Sequence, residues 1–128
     1  MAAACDSTTR SVVLALPASE PAAAAADRLR RAGWRVYRAT SCADLRRLVS
    51  RVRPEAVALA ADGFDESGWL TCAKLLRDEP HLRVILVGDP PADGAEYARF
   101  VGAEALVPAD VTADELADRV VGAATIPG

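Results

Sequence analysis

The sequence predicts an α/β domain built on a doubly wound parallel sheet. Three observations carry this. Five short apolar segments, at 11–16, 35–39, 55–60, 83–88 and 104–108, are spread along the whole chain. An amphipathic stretch follows each of them, and residues that cap helices stand where those stretches begin. At 128 residues the chain fits one such domain, large enough to bury a core without dividing.

SVVLAL (11–16) is the first strand, apolar throughout most of its length as a parallel strand covered on both faces must be. Ser19 is placed to cap the next helix, Pro21 suits its first turn, and Gly33 stops it after Arg31. RVYRA (35–39) is a short second strand. SCADLRRLVSRV (41–52) opens with capping-box spacing from Ser41 to Asp44 and carries Leu45, Leu48, Val49 and Val52 at helical spacing, with Pro54 ending it. EAVALA (55–60) is the third strand and GWLTCAKLLRDE (68–79) the third helix. RVILVG (83–88), β-branched and uninterrupted, is the fourth strand. Asp93 and Glu96 repeat the capping-box spacing and open a fourth helix with Tyr97, Phe100 and Val101 on one face, closed by Gly102. EALVP (104–108) is the fifth strand, and Thr112 with Glu115 caps a fifth helix through Leu116, Val120 and Ala123.

Composition narrows the function classes. Cys5, Cys42 and Cys72 are widely spaced and odd in number, and His81 is the single histidine, so neither a disulfide framework nor a zinc site is expected. No apolar run approaches the roughly 20 residues that span a bilayer. MAAACDSTTR lacks a charged-then-apolar leader pattern. Residues 1–10 therefore read as a flexible tail, 11–124 as the domain and 125–128 as a C-terminal tail, with a cytoplasmic location expected. The connection LPASEP after the first strand holds no glycine, which excludes a dinucleotide or phosphate loop there. His81 reads as a surface turn residue, and Trp34 and Trp69 as packing residues, Trp69 with a second reading as a contact anchor.

The order and separation of PEAVALA (54–60), Gly68, RVILVG (83–88) and GAEALVPADVTADEL (102–116) resemble the receiver domain of two-component response regulators, as does GWRV (33–36). The resemblance covers roughly residues 11–124 and implies a flavodoxin-like (βα)5 fold with strand order 2-1-3-4-5. In that family an acidic pair follows the first strand, a phosphoacceptor aspartate ends the third, a hydroxyl ends the fourth and a lysine ends the fifth. Clustered carboxylates repel by about 4 kcal/mol per pair at 4 Å in an effective dielectric near 20, and a magnesium ion offsets that while holding the phosphoryl group.

Carried onto this chain, the acidic pair falls on Leu16 and Pro17, the phosphoacceptor on Ala60, the hydroxyl on Gly88, the lysine on Ala109 and a switch-reporting aromatic on Leu106. None of these ionises, and a slip of one residue restores none of the required types. The resemblance therefore implies a degenerate, or pseudo-, receiver domain: no enzyme, no metal, no cofactor, working independently of phosphorylation. Its expected partner is another protein or a second copy of itself, met through the fourth helix, fifth strand and fifth helix by Tyr97, Phe100, Leu106, Asp114, Glu115, Asp118 and Arg119. The alternative is a divergent receiver phosphorylated on Asp62 or Asp65 in a phosphorelay. As loop acids, Asp62, Asp65, Glu66 and Asp89 otherwise read as helix caps or turn residues.

Charge is uneven. Residues 1–60 hold ten Arg against five acids and residues 61–128 five basic residues against thirteen acids, so the strand order that the resemblance implies would set a charge dipole across the sheet, the plainer reading being arginines that solvate helix faces. The overall net charge of −3 and the want of a recognition helix or aromatic platform argue against nucleic acid.

Overall fold

The computed structural model describes residues 10–61, 67–88 and 102–122. Strands β1 (Ser11–Ala15), β2 (Arg35–Arg38), β3 (Ala56–Ala60), β4 (Arg83–Val87) and β5 (Ala105–Val107) form one parallel sheet in the order β2-β1-β3-β4-β5. Helices α1 (Glu20–Arg31), α2 (Cys42–Val52), α3 (Gly68–Asp78) and α4 (Ala113–Val121) complete the described elements. The helix expected to open at Asp93, both expected tails and Cys5 lie outside the described residues.

The sheet is covered on both faces, and the side-chain alternation of its strands decides which residue goes where. Val12 and Leu14 of β1, Ala56, Ala58 and Ala60 of β3, and Ile85 of β4 pack with α1 and α4. Val13, Ala15, Val57, Leu59, Val84 and Leu86 pack with α2 and α3 on the other side. The first layer is rich in small residues, with Ala22, Ala25 and Ala26 of α1 and Ala117 of α4 sharing it with the alanine stripe of β3. Alanine on alanine lets a helix approach a sheet closely. It also leaves space wherever no larger side chain reaches in.

The caps explain where the helices begin. Ser19 Oγ accepts the Ala22 N–H at 3.2 Å, and Thr112 with Glu115 forms a complete capping box. The box expected from Ser41 to Asp44 forms by half: Ser41 Oγ accepts the Asp44 N–H, but the Asp44 carboxylate takes the N–H of Thr40, one residue earlier. Arg47 is its other partner, and these bonds, Arg47 first, hold the Asp44 carboxyl below the usual carboxylate range. α2 stops because Pro54 disfavours helical geometry in the residue before it, and Arg53 turns out with φ 53°.

A row of alternating charges runs along the sheet where the strands start. Arg10 precedes β1, Glu55 precedes β3, Arg83 opens β4 and Glu104 precedes β5, and these are neighbours in the sheet. Arg10 bonds Glu55 twice, Arg83 reaches Glu55 at 3.4 Å, and Arg83 grips both oxygens of Glu104 at 2.7 and 2.8 Å. Arg83 also donates to the Arg119 carbonyl, and Arg10 lies over the Trp34 ring at 4.4 Å. The Arg10 bonds, followed by the attraction of both guanidiniums, hold the Glu55 carboxyl below its ordinary value.

This ladder makes stability depend on acid. A carboxyl whose folded-state pKa is depressed adds stability that is fully present above its unfolded value of about 4.3, and is lost as pH falls through the folded-state value. Glu55→Gln is expected to cost about 1 kcal/mol at pH 7, the scale of a half-exposed charged pair. Urea denaturation at pH 7 and pH 3 checks this: the gap to the parent closes in acid, and a gap unchanged between the two would contradict the ladder's role.

The expected charge dipole is corrected in part. α1 belongs to the basic half and α4 to the acidic half, yet both cover the same face of the sheet and Arg28 pairs with Asp114 between them. A helix leaving the edge strand β5 returns over the middle of the sheet, so strand order alone does not keep the two charges apart. Arg31, Arg35, Arg38, Arg46, Arg51 and Arg53 make no ion pair among the described residues.

Candidate functional site

In an open parallel sheet the ligand crevice lies outside the carboxyl ends of the strands, where adjacent connections depart to opposite faces. Here β1 and β3 are adjacent and their outgoing chains separate, one into α1 and the other toward α3. The gap between them opens into a cleft of about 430 Å³. Leu16, Pro17 and Ser19 border it from the β1–α1 connection, with Pro21 and Ala22 from the first turn of α1. Ala60 ends β3 beneath it, and Val87 and Gly88 end β4. Ala109, Val111, Thr112 and Leu116 close the far side on the way into and along α4.

The cleft exists because the residues at its floor are short. Ala60 is 3% exposed and Ala22 equally so, and neither side chain reaches across the opening. Gly88 is held where a side chain has no room: a Cβ there would stand 2.8 Å from the Cβ of Ala61. Its N–H donates to the Val107 carbonyl at 2.9 Å, and the Ala61 N–H donates to the Val87 carbonyl at 2.8 Å. The backbone of the floor is thereby satisfied within the sheet.

Its polarity is equally plain. No ionisable side chain lines the cleft among the described residues, and the two hydroxyls at its rim are engaged in caps. Thr112 Oγ1 accepts the Glu115 N–H at 3.1 Å and donates to the Glu115 carboxylate at 3.0 Å. Hard divalent cations take several oxygen ligands, carboxylates foremost, and the described lining supplies no carboxylate. No group of three or more His, Cys, Asp or Glu is arranged to hold a metal ion among the described residues.

The structure brings Leu16, Pro17, Ala60, Gly88 and Ala109 together around this one opening. Asp62 and Asp65 lie outside the described residues, as do Glu66 and Asp89. Of the residues expected on an interaction face, Tyr97 and Phe100 also lie outside. Leu106 is half-buried against the α2–α3 layer, on the face of the sheet opposite the cleft. Asp114 is drawn into its pair with Arg28 and Glu115 into the capping box, leaving Asp118 and the Arg119 side chain exposed with no ion pair among the described residues.

The remaining candidates settle into packing. Trp34 is 5% exposed in the α1–α4 layer and Trp69 is 7% exposed in the α2–α3 layer. Cys42 and Cys72 are buried in that second layer, and burial pushes the Cys72 thiol up to about 12, far from reactivity at neutral pH. His81 is an exposed turn residue beside Arg53 and Glu79 in a smaller groove. No described helix is long and apolar enough to cross a membrane.

Comparison with solved structures places this fold. The receiver domain of a CheY-like response regulator from Methanospirillum hungatei superposes with a TM-score of 0.81 at 14% identity, covering 91% of this chain and 94% of that one. The receiver domain of TorR, a response regulator of the trimethylamine N-oxide respiratory system, gives 0.76 at 21% identity over 90% of this chain and 96% of that one. A LuxR-family DNA-binding response regulator from Staphylococcus aureus gives 0.75 at 17% identity, over 88% and 97%. No protein-family model and no curated protein matches the chain. At these identities the likeness establishes the fold, which is the receiver (CheY-like) fold.

Proposed function

We propose that the chain is a signalling module of receiver-like build that works without phosphoryl transfer, binding a protein partner or a second copy of itself. One observation carries the reading. The strand ends at which the receiver fold would assemble an acidic, magnesium-binding site are occupied here by Leu16, Pro17, Ala60, Gly88 and Ala109, around an apolar cleft. Phosphoryl transfer to a carboxylate is positioning plus stabilisation of charge on the transferred oxygens, and those oxygens require cations or strong donors within reach. A wall of Leu, Val, Pro and Ala provides neither. The module is therefore not an enzyme, uses no metal or cofactor, and acts in the cytoplasm through its surface.

The test is incubation of the full chain with magnesium and a small phosphodonor, followed by intact mass, and with beryllofluoride, followed by amide NMR. The reading expects an unchanged mass and an unchanged spectrum. A gain of one phosphoryl group, abolished by Asp62→Ala or Asp65→Ala, would replace it with a divergent receiver in a phosphorelay.

The surface for pairing is the flank formed by β5 and α4. Asp114 and Glu115 already serve the fold, so the charges of α4 in no ion pair among the described residues are Asp118 and Arg119. The double variant Asp118→Arg, Arg119→Glu is expected to weaken self-association or partner capture at least tenfold, while the unfolding midpoint stays within about 0.5 kcal/mol of the parent, as surface substitutions do. Sedimentation and urea denaturation of the same sample read both. Weakened assembly that comes only with lost stability would point to an indirect effect.

A further inference from the structure

We propose that the cleft at the strand ends is a binding site for an uncharged, largely apolar small molecule. Its volume of about 430 Å³ falls inside the range of about 300 to 1,000 Å³ typical of small-molecule sites. Its walls come from the ends of β3 and β4 below, the β1–α1 connection and first turn of α1 on one side, and the approach to α4 with its first turn on the other. Leu16, Val87, Val111 and Leu116 supply branched apolar surface, and Ala60 leaves the depth beneath them.

The lining selects by charge. An ionised ligand entering here would give up hydration and meet no counter-charge among the described lining residues. Among the described lining residues the N–H groups of Ala22, Gly88, Val111, Thr112 and Leu116 are already bonded within the fold and are not offered to a charged group. A neutral apolar molecule displaces water from apolar walls and loses nothing in exchange. One polar contact remains open. Ser19 Oγ accepts from Ala22 in its cap and keeps its own hydroxyl proton, which suits one carbonyl or hydroxyl oxygen at the rim of the ligand.

The inference uses only the walls of the cleft and goes beyond the signalling reading. If it failed, the mass and beryllofluoride results that test that reading would be untouched.

The experiment is a titration of the ¹⁵N-labelled full chain with indole, and separately with indole-2-carboxylate as its charged counterpart. Indole is expected to give saturable shifts centred on the amides of Leu16, Ala60, Val87, Gly88 and Leu116, with the carboxylate at least tenfold weaker. Ala109→Trp, which places a large ring at an exposed rim position, is expected to weaken indole at least tenfold while the spectrum keeps its native dispersion. Ala60→Leu, filling the floor, serves the same purpose should the rim variant not fold. Absence of saturation at millimolar indole, shifts confined to another surface, or equal affinity for the carboxylate would each overturn the proposal.

Discussion

Gly68→Ala is expected to destabilise the domain by about 3 kcal/mol, a fall of roughly 10 °C in the melting temperature. Adding a methyl to a helix residue ordinarily helps, by up to about 1 kcal/mol for glycine to alanine, so the sign itself is informative. Gly68 begins α3 directly against the end of β3. Its N–H donates to the Ala61 carbonyl at 3.1 Å, and a Cβ would stand 2.8 Å from both the Ala60 carbonyl carbon and the Ala61 Cα, with the Ala60 carbonyl oxygen closer still. These are backbone atoms of a fully buried central strand, and no rotamer change moves them aside. Either α3 lifts from the sheet, opening its contacts through Trp69 and Cys72, or β3 distorts beneath the cleft. Urea denaturation measures the loss, and a variant as stable as the parent would mean that the strand end is far softer than its packing implies.

Ala60→Asp is the second large effect, again about 3 kcal/mol at pH 7. The new carboxylate would be buried on the floor of the apolar cleft, beside Leu16, Val87 and Leu116, without a cation or a lysine among the described lining to meet it. Burial raises its pKa, so the penalty belongs to the charged form. The loss is full above the raised folded-state value and fades as pH falls toward the unfolded value of about 3.9, where both states are protonated. Ala60→Val, similar in volume and uncharged, separates crowding from charge and should be at least about 1.5 kcal/mol more stable than the aspartate variant at pH 7. Magnesium should not narrow that difference, because one carboxylate does not make a hard-cation site.

Much of this fold is legible from residue order because each local signal agrees with the rest. Ser19, Ser41 and Thr112 sit where the helices start, Gly33 follows α1 at φ 94°, and the apolar runs become the strands within about a residue at each end. The apolar character of the strand ends was legible too, since Leu16, Ala60 and Gly88 can be read off the sequence once the strands are known. That they enclose a cleft was not. Its depth depends on how α1 and α4 pack together over the short side chains of β3, which is a matter of tertiary packing.

The charge ladder was missed for a different reason. Arg10, Glu55, Arg83 and Glu104 each stand at or just before a strand, a regularity visible in the sequence, but they become neighbours only when strand order is applied. The expected separation of charges erred in the opposite sense. It followed strand order and overlooked that α1 and α4 share a face, where Arg28 meets Asp114.

The receiver fold is kept here, while the described residues at the end of its sheet supply no carboxylate for a divalent cation. Isothermal titration of magnesium into the full chain tests it most directly. Heats of dilution alone are expected up to millimolar magnesium, and a one-to-one binding isotherm that Asp62→Ala or Asp65→Ala removes would contradict this.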